Sequence, residues 1–264
     1  MLYFQTFKIG LQNALVYRWN FFLRLVFGFF PLIGSYFLWT TVFANEQSVG
    51  GYELHEMISY FVAMLVLDAL TASTDDDFRI AYDIRHGVLN QSLLKPMNYC
   101  LYQFSVYGAT RLVYALTAIL PLMVVVIFLA NYVIIPNSFE AFVLTYLSIL
   151  GSAFIQFLIS LCIGLMAFWL LEISALSFSI FGLEYLLGGH IFPLDILPQD
   201  IYRIALMLPF SYEYYVPVAI WTGRLSGTEA WHCLATQWMW VLVLAAISQV
   251  IWATGIRKYT AVGG

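Results

Sequence analysis

The sequence predicts an all-α membrane protein with six transmembrane helices, because of its composition and its long apolar stretches. Of its 264 residues, 62% are hydrophobic and only 10% are charged, and the mean hydropathy is +0.84. A soluble domain has about a quarter charged residues. Apolar stretches of about twenty residues suit helices that cross the hydrocarbon layer, and the alternating strands of an outer-membrane barrel do not occur. We therefore expect one transmembrane domain over residues 1–264, without a linker or internal repeat.

Residues 1–20 are predicted to form a helix that lies in the membrane surface and does not cross it. Gln5, Lys8 and Gln12 fall on one face at helical spacing, among apolar neighbours, and such a helix can rest with its apolar side in the membrane. A helix packed on protein would have the same pattern, so both alternatives stay open. The segment lacks the pattern of a cleavable signal, and the first span is expected to direct insertion.

Six apolar segments predict the spans. Arg18 and Arg24 flank the start of the first span, and Trp39 near its end is typical of an interfacial anchor. Pro121 lies inside the third span, where it removes a backbone hydrogen bond and predicts a kink. The predicted spans are 21–43, 57–74, 99–130, 139–169, 173–187 and 231–254.

The insert at 75–98, between the second and third spans, carries seven of the chain's twenty-six Asp, Glu, Lys and Arg residues. Ser73 and Thr74, followed by three aspartates, predict the start of a helix. Gly87 predicts the end of this helix, and a second short amphipathic helix is expected before Pro96.

Two faces are predicted on the first helix of the insert. Asp75, Arg79 and Asp83 are four residues apart and can form a charged ladder on one face. A ladder of this kind is usually only a solvated face. The second face holds apolar residues that we expect to be exposed, which favours docking on a partner protein. These residues are Phe78, Ala81 and Ile84.

Residues 188–227 are too interrupted for one span and too apolar for a solvated loop. Short helices that enter the membrane part-way and turn back explain this pattern best, since irregular backbone at that depth must be buried in protein or line water. The interruptions are Pro193, Pro198, Pro209 and Pro217.

The distribution of Lys and Arg predicts the topology. With six spans, both termini and the insert lie on one side, together with nine of the eleven basic residues. Only Arg203 and Arg224 fall on the other side. The positive-inside rule makes the first side cytoplasmic, which places residues 188–227 on the outer side. The nine residues are Lys8, Arg18, Arg24, Arg79, Arg85, Lys95, Arg111, Arg257 and Lys258.

Two ionisable residues lie inside predicted spans, where they are costly and point to function. Asp68 and Glu184 either face a substrate path, together with nearby His190, or have structural roles. In the structural alternative, Asp68 is hydrated near the cytoplasmic end of its span, and Glu184 caps the turn at Gly188.

No catalytic or metal motif is evident in the sequence. Glu184, His190 and Asp195 lack the spacing of a metal site, and the three cysteines are scattered. The chain has no phosphate-binding GxxxxGK[ST] loop and no nucleophile elbow. We therefore expect that this chain is not an enzyme and does not hydrolyse ATP by itself.

The order of these segments resembles that of the ABC-2 type permeases, the membrane subunits of type-2 ABC exporters. The resemblance covers essentially the whole chain, and the first and last local matches resemble a bacterial subgroup described only as ABC-2 family transporter proteins. The local matches are DIRHGVLNQSLLKPMN (83–98), GGHIFPLDILP with LPFSYEYYVP (188–217), and GIRKYTAVGG (255–264).

By this resemblance, the insert holds a coupling helix that enters a groove of a separate ATPase subunit. Leu2 to about Arg18, within the predicted helix 1–20, matches the family's elbow helix, and Pro193–Pro217, within 188–227, matches its outer helical hairpin. Two permeases, identical or different, face each other across the substrate route, and two ATPase subunits hold ATP and Mg²⁺, so that this chain has no cofactor. The positions that match the coupling helix are Asp83, Ile84, Arg85, Gly87, Leu93, Leu94, Lys95 and Pro96.

The resemblance implies export of an amphipathic, drug-like or lipid-like substrate from the cytoplasm by alternating access, driven by the ATPase. It also implies the bacterial cytoplasmic membrane, contact with lipid, cytoplasmic termini and no nucleic-acid partner. One alternative is an ion-coupled carrier that uses Asp68 and Glu184 without an ATPase. Another is an intramembrane enzyme that uses Glu184, His190 and Asp195.

Overall fold

A computed structural model describes residues 2–16, 18–71 and 76–259, which are helical apart from short connections and 3-10 turns. The only bridge between extended residues in this part of the chain joins Val49 and Tyr52. The helices are α1 (Leu2–Val16), α2 (Arg18–Val42), α3 (Leu54–Thr71), α4 (Asp76–Arg85), α5 (Leu89–Leu93), α6 (Tyr99–Phe128), α7 (Phe139–Leu165), α8 (Ser174–Leu187), α9 (Gln199–Ala205), α10 (Pro209–Glu213), α11 (Tyr215–Trp221) and α12 (Gly227–Lys258).

Four helical segments in the described residues are long and apolar enough to cross a membrane. They are Leu54–Arg85, whose residues 72–75 lie outside the described part of the chain, Tyr99–Phe128, Phe139–Phe168 and Gly227–Lys258. Two shorter apolar helices, Val26–Val42 and Ser174–Leu187, coincide with the predicted first and fifth spans. The all-α class is thus confirmed, and the number of six spans stays a prediction.

The central helix is α7, which packs against α12, α4 and α11. Gln237 of α12 is fully buried. Its amide nitrogen donates to the carbonyl oxygens of Ser148 (2.9 Å) and Tyr212 (2.6 Å), and the Ser148 hydroxyl donates to its amide oxygen (2.9 Å). Polar side chains that bond across helices in this way hold α7, α10 and α12 together inside an apolar core.

Helix α1 packs along α6 in the same chain direction. The backbone N–H of Asn98 donates to the Tyr3 hydroxyl (3.0 Å), and a Cβ on Gly10 would lie 3.0 Å from the Cβ of Ala109. Further along, Ala14 packs with Val113 in one apolar cluster. This contact agrees with the alternative of a helix packed on protein, and the placement in the membrane surface stays a prediction.

The insert contains the two predicted helices. Helix α4 ends at Arg85, and Gly87 has a φ of +72°, a left-handed conformation in which glycine is favoured. The short helix α5 follows, and it ends before Pro96. The helix start predicted at Ser73, Thr74 and Asp75 lies outside the described residues.

Residues 188–227 form a 3-10 turn at Leu194–Ile196 and the three short helices α9, α10 and α11. Each proline occupies a position that it tolerates at low cost near a helix start: Pro198 precedes α9, and Pro209 is the first residue of α10. Every residue of α10, and all of α11 except Trp221, is buried. The predicted short helices are thus present, and they form part of the core.

The close approach of α4 to α7 at Gly164 gives a stability prediction. A Cβ on Gly164 would lie 2.7 Å from the Cβ of Ile80 and 2.8 Å from the carbonyl oxygen of Asp77. We expect Gly164→Ala to destabilise the fold by about 1–3 kcal/mol, since overpacking forces the two helices apart. The measurement is the midpoint of thermal unfolding of the purified protein in detergent.

Gly182 of α8 provides the matched control, because a Cβ there meets no atom within 4 Å. We expect Gly182→Ala to leave the unfolding midpoint unchanged or slightly higher, as alanine has the greater helix propensity. Equal midpoints for the two variants would contradict the close packing of α4 on α7.

Candidate functional site

The apolar face of α4 is turned inward. Ala81 and Ile84 are only 2% and 4% exposed, and Ile80 beside them is fully buried where α4 packs on α7. The expectation that these apolar residues are exposed is therefore wrong for Ala81 and Ile84. Burial of apolar area within the chain is sufficient reason for this orientation. Phe78 is the exception, at 38% exposed.

The charged face of α4 is also used within the chain. The fully buried carboxylate of Asp76 pairs with Arg79 at 2.8 Å and with Arg111 of α6 at 3.8 Å. Arg79 donates a further hydrogen bond to the amide oxygen of Gln103 (3.1 Å). The predicted ladder starts at Asp75, which lies outside the described residues, and Arg79 makes its ion pair with Asp76.

Asp83 extends this network. One of its carboxylate oxygens accepts hydrogen bonds from the Tyr99 hydroxyl (3.1 Å) and the Gln103 amide (3.0 Å), both on α6. On another side of α4, the Ser177 hydroxyl of α8 donates to Asp77 (2.7 Å). Helix α4 is therefore fixed to α6, α7 and α8 at once. Asp83 and Ile84, two of the predicted coupling residues, are internal contacts.

Four more of the predicted coupling residues face outward at the end of α5 and just after it. We call residues 93–96 the docking surface: Leu94 is 87% exposed, Leu93 is 45% exposed, and Lys95 and Pro96 are exposed as well. Large apolar side chains that protrude from a polar segment are typical of contact sites for partners. Gly87, at the turn between α4 and α5, determines where this surface lies relative to α4.

Arg85 joins the insert to the connection between α7 and α8. Its guanidinium lies 3.5 Å from the carboxylate of Glu172. Hydrogen bonds from the Ser174 side chain and backbone hold the pKa of Glu172 below its ordinary value, so this carboxylate stays charged. Leu171 next to it is 92% exposed. The Arg85–Glu172 pair thus brings a second exposed apolar residue to the same end of the molecule.

The three residues predicted to lie on a translocation path come together in the structure. His190 Nε2 lies 3.3 Å from the carboxylate of Asp68, and Glu184 is buried within electrostatic range of His190. The His190 ring also contacts the Tyr214 ring, with the ring centroids 4.2 Å apart. This arrangement agrees with a shared polar site and does not support a Glu184 role limited to its own turn.

A cavity of about 310 Å³ opens beside this site, between α2, α3 and α8. Asp68 and His190 form its polar corner, and the rest of the lining is mostly apolar or aromatic. The lining includes Ser35, Trp39, Phe61 and Tyr185.

Asp195 belongs to a different cluster, which we call the outer clasp: Tyr52, Asp195 and Arg224. The Tyr52 hydroxyl donates to Asp195 (2.8 Å), and Arg224 pairs with Asp195 at 3.2 Å and lies over the Tyr52 ring at 4.0 Å. Burial and the neighbouring carboxylate raise the pKa of Tyr52 above its ordinary range, so its hydroxyl keeps the proton that it donates.

Asp195 bonds Tyr52 and Arg224, whereas His190 bonds Asp68, so the described residues do not bring Glu184, His190 and Asp195 together as one catalytic site. In the described residues, no group of three or more His, Cys, Asp and Glu side chains could hold a metal ion. The clasp also joins the two ends of a loop of chain. The chain between Asp195 and Arg224 forms this loop, and within it Tyr214 contacts the His190 ring.

Sequence reasoning did not identify Gln103 or Glu213. Glu213 is fully buried and lies within electrostatic range of Glu184 and Asp68. An ionisable side chain in an apolar segment points to function, as for Asp68. The same rule applies to Glu213, which lies in the apolar segment LPFSYEYYVP (208–217). Gln103 gives no such signal, because its role depends on α4 lying beside it.

A family model described as "ABC-2 family transporter protein" matches residues 29–263. The match includes the insert, the cavity residues and the outer clasp. Comparison with curated proteins and with solved structures gave no significant match.

The division of the insert into buried and exposed residues can be tested by stability. We expect Ile84→Ala to destabilise the fold by about 2–5 kcal/mol, because it leaves a cavity at the buried face of α4. Leu94→Ala is the matched control, and its effect should stay within about 0.5 kcal/mol, as for most surface substitutions. The measurement is thermal unfolding in detergent. Similar losses for both variants would contradict the orientation of α4.

Proposed function

The chain belongs to the ABC-2 family of transporter proteins and is a membrane permease component of an ABC transporter, and from this premise we propose that it exports an amphipathic substrate. In this proposal, a separate ATPase subunit binds ATP and Mg²⁺ and drives alternating access. The observation that carries the proposal is the insert at 75–98: exposed apolar residues at the end of α5 follow α4, which is fixed to three other helices.

Contact with the ATPase is assigned to the docking surface, residues 93–96. Leu94 and Leu93 supply apolar area for a groove, and Lys95 supplies a charge at its rim. An apolar anchor surrounded by polar residues is the usual composition of a strong contact. Leu171 lies at the same end of the molecule and would add to the contact area.

Transmission of movement is assigned to the buried residues of α4. A push on the docking surface reaches α6 through Asp83 and Arg79, α7 through Ile80 at Gly164, and α8 through the hydrogen bond between Asp77 and Ser177. Packed protein interiors transmit strain with little compression. Asp83 and Ile84 therefore keep a coupling role, as transmitters rather than as contacts of the ATPase.

The substrate route is assigned to the face that holds Asp68, Glu184 and His190, next to the cavity. We also propose that 188–227 re-enters the membrane. Helix α8 has 14 residues, which gives about 21 Å at 1.5 Å per residue, less than the roughly 30 Å of the hydrocarbon layer. The chain after α8 must then complete the crossing, and Tyr214 returns to the depth of His190.

The assembly that we propose contains two permeases and two ATPase subunits in the bacterial cytoplasmic membrane, with lipid around the spans. Both termini and the insert are cytoplasmic, as the count of Lys and Arg predicts. Helix α1 serves as the elbow helix on this side. The two permeases are either identical or different chains.

An ion-coupled carrier is the second candidate, and the contact between Asp68 and His190 favours it. Buried acid and imidazole groups inside spans are used as proton relays in carriers. The two candidates differ in their energy source. Uptake driven by an ion gradient in vesicles that contain this chain alone would replace the export proposal with this second candidate.

Co-purification with the ATPase tests the docking surface. We expect Leu94→Glu to weaken the association about a hundredfold, because an unpaired carboxylate would be buried in an apolar groove. Candidate ABC ATPase subunits are co-expressed with this chain, and pull-down from detergent extract gives the measurement. Ile135→Glu is the matched control, since Ile135 is also an exposed apolar residue, 58% exposed, in the connection between α6 and α7.

An unchanged association for Leu94→Glu would remove these residues from the ATPase contact. Equal losses for Leu94→Glu and Ile135→Glu would indicate a general effect on folding and would also contradict the assignment. Both variants must elute from size exclusion as the wild type does.

Arg85 tests whether the connection between α7 and α8 moves with the insert. Arg85→Glu places two carboxylates side by side, and we expect substrate-stimulated ATPase activity to fall about tenfold, equivalent to about 1.4 kcal/mol of coupling. Stability should change little, because Glu172 is exposed and surface pairs contribute at most about 1 kcal/mol. The reversed pair Arg85→Glu with Glu172→Arg should recover the stimulation. Stimulation that stays at the wild-type level in Arg85→Glu would contradict the role of this pair.

A further inference from the structure

The cavity beside Asp68 has the size and lining of a small-molecule site. Its volume of about 310 Å³ lies at the lower end of the usual range of such sites, about 300–1,000 Å³. Trp39, Phe61 and Tyr185 line it, together with aliphatic residues of α2 and α3. The exposed surface of α2 next to it, with Phe27 65% and Phe30 63% exposed, is apolar. A ligand that is soluble in lipid can therefore reach the cavity.

The polar corner of the cavity is acidic. Asp68 is accessible, with 35% of its side chain exposed, and the cavity lining contains neither Lys nor Arg among the residues that the structure describes. Behind it lie two more buried carboxyl groups, Glu184 and Glu213, within electrostatic range of one another. Neither carboxyl oxygen of Glu213 has a hydrogen-bond partner in the described part of the chain.

The imidazole of His190 lies at this polar corner. His190 stacks on Tyr185, with ring centroids 4.9 Å apart, and its Nε2 lies 3.3 Å from Asp68. Its other ring nitrogen, Nδ1, is buried without a hydrogen-bond partner in the described residues. Asp68 is the carboxylate that this group exposes to the cavity, and the described lining residues include no Lys or Arg, so the site favours a positive charge from a ligand over a negative one.

We propose that this cavity binds a lipophilic organic cation, with Asp68 as the counter-ion and Trp39, Phe61 and Tyr185 as aromatic walls. As the cargo of export, this cation rests on the function proposed above. Aromatic faces attract cations, most strongly where water is excluded. The bound cation takes over the contact with Asp68 that His190 makes in the structure.

The lining does not suit Ca²⁺ or Mg²⁺ as the ligand. Ca²⁺ takes six to eight oxygen ligands and Mg²⁺ takes six in octahedral geometry. This cavity offers the carboxylate of Asp68 and the hydroxyl groups of Ser35 and Tyr185, in otherwise apolar surroundings. An organic cation needs only one counter-ion and gains from the apolar and aromatic walls.

The experiment measures binding of tetraphenylphosphonium to the purified full chain in lipid nanodiscs, with nanodiscs without protein as the background. Tetraphenylborate has the same shape and the opposite charge, so it is the control for lipophilicity. We expect saturable binding of the cation only. Asp68→Asn should weaken it about tenfold or more, since the counter-ion is lost, and Trp39→Leu about threefold.

Glu46→Gln is the matched control variant, because it also removes one carboxylate, and Glu46 is exposed and not part of the cavity. Its affinity should equal that of the wild type. Trp39→Leu decides the question if Asp68→Asn does not fold, as judged by size exclusion. The proposal is overturned by absence of saturable cation binding, by equal binding of both probes, or by affinities of Asp68→Asn and Trp39→Leu that match Glu46→Gln.

This assay contains no ATPase, so its result is separate from the export proposal. Failure of cation binding, with association still dependent on Leu94, removes the cation and leaves the permease. Cation binding without any ATPase association removes the exporter and leaves the cation site, as in an ion-coupled carrier.

Discussion

The arrangement of the insert depends on the buried carboxylate of Asp76. A charge in a protein interior is tolerated only when opposite charges and hydrogen bonds surround it. Here Arg111 of α6 supplies one of those charges, and Arg79 supplies the other while it also bonds Gln103. The contact of Asp76 with Arg111 and the hydrogen bond from Arg79 to Gln103 therefore tie α4 to α6. The insert cannot turn about its own axis without leaving a charge unpaired, and this makes it a rigid element.

The same constraint, that a buried polar group needs a partner, also shapes residues 188–227. Residues 188–227 combine many prolines with an apolar surrounding, so the polar groups of their short helices must find partners inside the protein. Gln237 binds the carbonyl of Tyr212, and the outer clasp binds Asp195 to Arg224. Polar contacts are few in such a chain, but each of them determines which elements lie together.

The sequence predicted elements better than contacts. Gly87 and the VLNQSLL segment predicted the two helices of the insert correctly, because a left-handed glycine and short amphipathic spacing are local signals. The orientation of α4 was not predictable, since both of its faces can be buried when Arg111 and Gln103 lie opposite. The contact between Asp68 and His190 joins residues 122 positions apart. Apolar residues on every face of the spans hide the periodicity that would have indicated which faces meet.

Helix α8 links the insert to the cavity. Ser177 near its start bonds Asp77 of α4, and two turns later Glu184 and Tyr185 reach the group around His190. Between these points α8 exposes Phe178 and Phe181 and packs mainly on α10. An element held at both ends and loosely packed between them can shift as a unit more easily than α7, which is packed along its length. A movement of α4 would therefore change the cavity through α8 first, with Tyr185 and His190 as the residues that respond.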